Sequence, residues 1–493
     1  MVDIMPKSQR RKSRISGGQL VFRSVTIIDV AGGFLKPDMT VVIADGRILE
    51  VGQSQDVRFP KNTRVVDAKG KFLMPGLWDM HWHLRSERQT RNVLFPLMIA
   101  NGVTGVRDMF TDCIKNCAVG TNIETVKKWR REFAEGKLIA PRLMASSQIL
   151  DGAKPTQPWF YPVASANAAR RAVRTFKARG CDFIKIYSLL SRNAYFALAD
   201  EAKQQQIPFV GHIPIYITPR EASHAGQKSL EHLDFTSAFS TREAELMKEL
   251  ALEIERFSFN PYFTALVYCA LDANLVRAAD SYNSRKLVEV CRTFVKNSTW
   301  FCPTLAYHHA DAFHDQKEYA KDPRLKYMPR DFLDEWTELK NARESMPQRM
   351  AEMKRVFPAL LKMIGAMRRA GVNFLAGTDA PQIHVIPGFS LHTELALLVQ
   401  AGFTPKEALQ SATIAPARFM EREKDLGTIE PGKFADAVLL EANPLDDINN
   451  TKKIAAVVLN GRYFPKRALQ ELLASASRSA KPKRSSQCIA SVV

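Results

Sequence analysis

The sequence predicts an α/β fold, a (β/α)8 barrel carrying a small β-sandwich built from the two ends of the chain. Residues 72–424 alternate short apolar runs with helical stretches, the pattern of repeated βα units around a parallel sheet. Eight such runs can be picked out, and eight βα units imply a closed barrel. The flanks, 19–71 and 425–465, consist of short strand-like runs bounded by turn residues, and β-rich pieces at opposite ends can pair into one unit.

In chain order, residues 1–18 form a basic tail without strand or helix periodicity. VFRSVTIIDV and TVVIADGRILEVG follow, with Asp45-Gly46 as the hairpin turn between alternating runs. The barrel runs are GLWDMHWHL, GVTGVRDMF, PRLMASSQIL, DFIKIYSLL, IPFVGHI, KSLEHLDF, TWFCPTLAY and VNFLAGTDA. NAARRAVRTFKARG before the fourth and SRNAYFALADEAKQQQ before the fifth have helical periodicity and end near glycine or proline. The connection at 306–371 far exceeds the usual βα loop of about two to six residues, so part must be helix and part is expected to cover the barrel mouth. GKFADAVLLEANP and KIAAVVLNGRYF return to strand, and 466–493 is a second basic tail.

Composition narrows the function. A chain of 493 residues with 46% hydrophobic content suits a large catalytic domain with a satellite. Much of the +19 net charge lies in KSQRRKSR and KRALQELLASASRSAKPKRSSQ, which read as solvated tails rather than a nucleic-acid surface. The body holds no zinc-finger spacing, RNP-type aromatic motif or Walker loop. No apolar stretch reaches the roughly 20 residues of a membrane span, and the basic start has no apolar segment behind it, so a cytoplasmic location is expected. Seven scattered cysteines, at 113, 117, 181, 269, 291, 302 and 488, imply no disulfide framework and a reducing compartment. Cys113 and Cys117 lack the second pair that a closed zinc site needs. A small-molecule substrate is the expected partner, with no specific nucleic acid; a homo-oligomer is left open.

The chemistry begins in LMPGLWDMHWHL, residues 73–84. Side chains alternate along a strand, so Asp79, His81 and His83 share one face and Met80 and Trp82 the other. In a barrel of this type the strands' C-terminal ends form the rim that carries the active site. That rim gathers His81 and His83 from the first run, Lys185 from the fourth, His212 from the fifth, His232 from the sixth and Asp379 from the eighth. Separate structural roles would each bury a polar group among apolar residues, at about 2–7 kcal/mol if unpaired. One metal site replaces these causes with a single one. Imidazole and carboxylate donors without thiolate suit Zn²⁺ or a similar divalent ion with open positions. Lys185 could lose its proton among apolar neighbours and take up CO₂, giving an anionic carbamate able to bridge two metals.

These motifs resemble those of the amidohydrolase superfamily, nearest to its imidazolonepropionase-related and prolidase-like branch, with a TIM-like barrel. PGLWDMHWH matches the first-strand signature, FIKIY the bridging-lysine strand, GH and EHLD the two later histidine strands, and AGTDA the terminal aspartate. LGTIEPGKFADAVLLEANPLDDI and VVLNGR match the return into the small β unit, and the resemblance covers about 19–465. It implies His81, His83 and Asp379 on one metal, His212 and His232 on the other, and carbamylated Lys185 as the bridge. No ligand of the pattern is missing. It further implies hydrolysis of a C–N bond in an amide or dipeptide-like substrate, with Asp379 as general base and then acid. Arg85, Tyr187, Tyr307 and His308 follow strand ends and are candidate substrate contacts; HIPIYITPREASHAG after His212 departs from the Gly-rich loop of dipeptidase relatives. A lactone or phosphoester hydrolase on the same centre is the nearest rival, and a non-enzymatic scaffold binding through its basic tails is the other. His224, His308, His309, His314, His384 and His392 are each expected in solvated or helix-surface roles, with His308 and His309 close enough to the seventh rim position to contact substrate.

Overall fold

The computed structural model describes residues 19–481 apart from 62, 115–119, 234, 259 and 261. The expected tail at 1–18 and the end of the other, 482–493, lie outside the described residues. The first strands are β1 (Leu20–Asp29), β2 (Phe34–Ala44), β3 (Arg47–Gln53), β4 (Arg64–Asp67) and β5 (Phe72–Pro75). Asp45 and Gly46 both take positive φ and turn β2 into antiparallel β3, with Ala44 opposite Arg47.

Each of the eight apolar runs contains a parallel strand. They are β6 (Leu77–Trp82), β7 (Val103–Asp108) and β8 (Arg142–Ala145), then, after the short β9 (Leu150–Asp151) and β10 (Tyr161–Pro162), β11 (Ile184–Ile186), β12 (Phe209–Gly211), β13 (Ser229–Glu231), β14 (Trp300–Cys302) and β15 (Asn373–Phe374). One sheet has the order β6-β7-β8 and the other β10-β9-β11-β12-β13-β14-β15. Backbone hydrogen bonds tie their edges on both sides, Ser147 N to Phe183 O and Met80 N to Ala376 O, each 2.9 Å. The result is a TIM-barrel-like α/β fold. The predicted helices lie outside it: Ala166–Arg179 starts on the Ser165 hydroxyl and stops at left-handed Gly180, and Arg192–Gln204 starts on Ser191.

After the barrel come β16 (Ala437–Leu440), β17 (Ile454–Leu459) and β18 (Arg462–Pro465). They join the N-terminal strands in one eight-stranded sheet, β18-β17-β16-β5-β1-β2-β3 with β4 paired to β1, around Phe22, Val25, Val41, Leu73, Leu439 and Val458. β5 passes into β6 through Gly76, where a Cβ would fall 2.0 Å from the Thr104 hydroxyl oxygen. The Pro-Gly of the motif thus lets one segment serve both sheets.

Helices that matter for the site are α1 (Phe263–Asp280), α2 (Leu305–Phe313), α3 (Arg330–Glu344), α4 (Pro347–Arg369), α5 (Phe389–Gln400) and α6 (Lys466–Ala480). The long seventh connection is mostly helix, and Phe332 of α3 lies under the Arg85 guanidinium, 4.9 Å away, beside the last strand end. Two expectations are corrected. The start of the second basic tail is α6, because Leu469, Leu472, Leu473 and Ala476 recur at helical spacing and pack on Ile99, Val457 and Phe464 or neighbouring apolar groups. Cys113 is disulfide-bonded rather than a free thiol, whereas Cys181, Cys269, Cys291 and Cys302 are free. No helix among the described residues is long and apolar enough to cross a membrane.

If α6 is part of the folded unit, Leu469→Ala should cost about 2 kcal/mol or more in chemical unfolding, as for other buried leucines. An unchanged midpoint and slope would return residues 466–480 to the status of a tail.

Candidate metal centre

Six side chains converge where the strands end. The His81 and His83 rings lie 5.3 Å apart, His81 and His232 4.5 Å, and His212 and His232 4.7 Å. Asp379 Oδ1 is 2.7 Å from His83 Nε2 and 3.2 Å from His81 Nε2. Donor atoms of His81, His232 and Asp379 all lie within 4.8 Å of one another, and the three residues are buried. Lys185 completes the group from β11, with Glu231 and Asp379 as its nearest anionic influences.

Backbone geometry makes this gathering possible. Glu231 and His232 are adjacent, so a regular strand would point them to opposite faces. Both nevertheless reach His81, because His232 adopts φ +63°. Asp379 adopts φ +64° and Thr304 +50°. Left-handed conformations at non-glycine residues cost on the order of 1–3 kcal/mol each and persist where surrounding structure imposes them. At Gly377 a Cβ would sit 2.6 Å from His81 N and 2.5 Å from Cys302 Sγ, so the glycine of AGTDA lets the last strand close against the first.

Three of the four imidazoles have one nitrogen committed elsewhere. His81 Nδ1 is 2.9 Å from Glu231 Oε2, His232 Nδ1 2.7 Å from Thr304 Oγ1, and His212 Nδ1 3.2 Å from Ser188 Oγ. Such contacts fix ring orientation and leave Nε2 to face the centre, the usual arrangement around metal-binding histidines. His81 Nε2 and Lys185 Nζ are buried with no hydrogen-bond partner among the described residues. Buried polar groups rarely go unsatisfied, so these orphans fit a cation-binding centre. The buried imidazole and carboxylate donors fit a divalent metal.

Electrostatics agrees. Burial drives His83 down to about 4 and His232 well below its ordinary value, keeping both neutral and able to donate a lone pair. Burial pushes Lys185 down to about 8 against the pull of Glu231 and Asp379. Burial would raise Asp379, but the His81 and His83 rings beside it hold it well below the carboxylate range. Burial also opposes ionisation of Glu231, yet Arg107 and His81 keep it strongly acidic.

The four proposed substrate contacts divide. The Tyr187 ring is 3.9 Å from that of His212, and Tyr307 and His308 lie 6.1 and 6.3 Å from His232. Arg85 instead donates to Pro381 O at 3.2 Å, bracing the loop after Asp379. Sequence reasoning assigns no role to Arg107, Glu231, Thr304 or Ser188. Arg107, a cation within the apolar run GVTGVRDMF, is the detectable one.

Residues 327–463 match the Amidohydrolase family. A solved structure described as a putative prolidase from Bifidobacterium longum superposes with TM-score 0.63 at 24% identity, covering 93% of this chain and 99% of its own. A. niger ochratoxinase is 22% identical over 476 residues, 86% of this chain and 82% of the relative. Over residues 327–463 the chain thus resembles the Amidohydrolase family. Among amidohydrolase structures, a bottromycin amidohydrolase gives TM-score 0.67 at 20% identity, covering 93% of this chain and 90% of that one. An adenine deaminase of Paracoccus denitrificans is 31% identical over 104 residues, and this chain spans 17% of its length. At these levels the structural likeness is one of fold.

The remaining histidines correct the expectation of solvated surfaces in part. His224 is exposed at the end of a helix. His308, His314 and His392 are buried. His309 Nδ1 lies 2.7 Å from the Tyr319 hydroxyl, and His384 packs against the same ring. His392 bonds Thr451 Oγ1 at 2.9 Å and Asn101 O at 3.1 Å, joining the barrel to the turn before β17.

Burial lowers His392 from 6.5 to about 4, so the unfolded chain binds its proton first as pH falls. Its contribution is complete above about 6.5 and lost between 6.5 and 4. Relative to His392→Gln, the parent should lose up to about 3 kcal/mol of stability across that window. Parallel stability profiles for the two proteins would contradict the assignment.

Proposed function

We propose that this protein cleaves a C–N bond, in an amide or dipeptide-like small molecule, at a binuclear divalent centre, with zinc the metal best suited to the donors. His81, His83 and Asp379 would hold one ion, His212 and His232 the second, and Lys185, as a CO₂-derived carbamate, would bridge them. The observation that carries the reading is the buried convergence of His81, His232 and Asp379, with Lys185 left without a hydrogen-bond partner among the described residues. The names borne by the structural neighbours, a prolidase and a bottromycin amidohydrolase, point the same way. When bound, the cations supply an acidified water and polarisation of the scissile carbonyl.

The side chains do the rest. Asp379, held ionised, takes the proton from the attacking water and returns it to the departing amine nitrogen. His81 is kept in one tautomer by Glu231, and His232 and His212 are aimed by Thr304 and Ser188. Tyr187, Tyr307 and His308 line the approach, with Tyr187 beside His212 placed to donate to the substrate carbonyl or carboxylate. Arg85 would set positive potential at the mouth while bracing the Asp379 loop. The same reading takes residues 72–424 as a closed (β/α)8 barrel and 19–71 with 425–465 as a sandwich, in a cytoplasmic enzyme.

Asp379→Asn keeps the shape and removes the base. At matched metal occupancy, kcat on a poor-leaving-group amide should fall by about 10²–10⁴, the usual worth of a positioned acid–base group. An activated ester or nitroanilide should suffer less. Unimpaired turnover of the amide would assign the proton to another residue.

A further inference from the structure

Helix α2 begins without a cap of its own. Thr304, in the N-cap position, has φ +50° and makes no side-chain bond to the helix, since its hydroxyl lies 2.7 Å from His232 Nδ1. The first amides of a helix need acceptors, and buried ones cannot take them from water. Glu394 supplies them from α5, 88 residues away in sequence. Its Oε2 accepts from Ala306 N at 2.7 Å, and Leu305 N also bonds the carboxylate. Glu394 is wholly buried, and Oε1 has no hydrogen-bond partner among the described residues. A leucine would fill this volume without desolvating a carboxyl, so packing alone does not account for the residue.

Beyond the capped turn lies the wall of the centre. Thr304 orients His232, and the same first turn of α2 presents Tyr307 and His308 to it. We infer that Glu394 is a positioning residue: by capping α2 from the neighbouring helix it keeps the Thr304 hydroxyl on His232 Nδ1 and fixes the ring that faces the centre. The importance of that ring rests on the metal reading above; the geometry of the cap does not.

The test uses metal-free, full-length protein labelled with ¹⁵N-histidine, with the His232 signals assigned by their loss in His232→Asn. Glu394→Leu should displace the His232 nitrogen resonances to the positions seen in Thr304→Val. Glu394→Gln keeps an acceptor for Ala306 N and should restore the parent spectrum, and combining Glu394→Leu with Thr304→Val should add nothing further. A folded Glu394→Leu protein with unmoved His232 signals, and only a lower melting temperature, would overturn the inference. If that variant does not fold, Glu394→Asp, one methylene too short to reach, gives the same two outcomes. Zinc titration against a chromogenic chelator separates the two readings. Glu394→Leu should weaken uptake by about tenfold, the lower range for loss of an outer contact, and equal uptake would count against Glu394. No zinc uptake by the parent would overturn the metal centre while the metal-free spectra still decide the role of Glu394.

Discussion

The arrangement at the strand ends depends on one buried carboxylate. Glu231 on β13 accepts from Arg107 of β7 at 2.8 and 2.9 Å and contacts His81, just inside the end of β6, at 2.9 Å. All three side chains are essentially inaccessible to water. Removing either partner of such an ion pair typically costs about 3–5 kcal/mol, because the other is left as an uncompensated buried charge. The pair therefore ties opposite walls of the barrel together. It also fixes which nitrogen of His81 faces inward, so the chemistry at the rim inherits its orientation from an interaction one layer below it.

Above that layer, order is imposed by elements distant in sequence. Thr378 donates through its hydroxyl to Asp79 at 2.6 Å and through its amide at 3.0 Å, locking the last strand end to the first. Asp79, on the same strand face as the histidines, is therefore a brace, and burial raises it to about 6 despite those bonds. Helices of the seventh connection add the cover: Arg349 of α4 bridges Asp272 of α1 and Asp311 of α2, with Arg343 of α3 also on Asp311. That buried network holds the helix carrying Tyr307 and His308 against the helices above it. The left-handed residues His232, Thr304 and Asp379 sit where these constraints meet.

Much of this is legible in the sequence, for a physical reason. Strand positions announce themselves by apolar runs, and histidine, lysine or aspartate inside such a run stands out because burial is costly. All eight runs contain a strand, and the six rim residues named from them lie together. Glu231 is hidden because it precedes His232, and alternation assigns adjacent residues to opposite faces; only the positive φ at His232 brings both inward. Glu394 is hidden because its partner is a backbone amide 88 residues away, which no local pattern encodes. α6 reads as a tail because its charge outweighs the spacing of Leu469, Leu473 and Ala476. Arg85 reads as a substrate contact from its place after the first strand, whereas its observed bond is to Pro381 O.

The central claim is that the six rim residues form a centre for two divalent ions. Elemental analysis of the full-length protein after reconstitution with Zn²⁺ and removal of loose metal tests it most directly. The account predicts about two ions per chain in the parent and a clear loss in His81→Ala. A parent chain that retains no divalent ion, or a His81→Ala protein that retains as many as the parent, would contradict it.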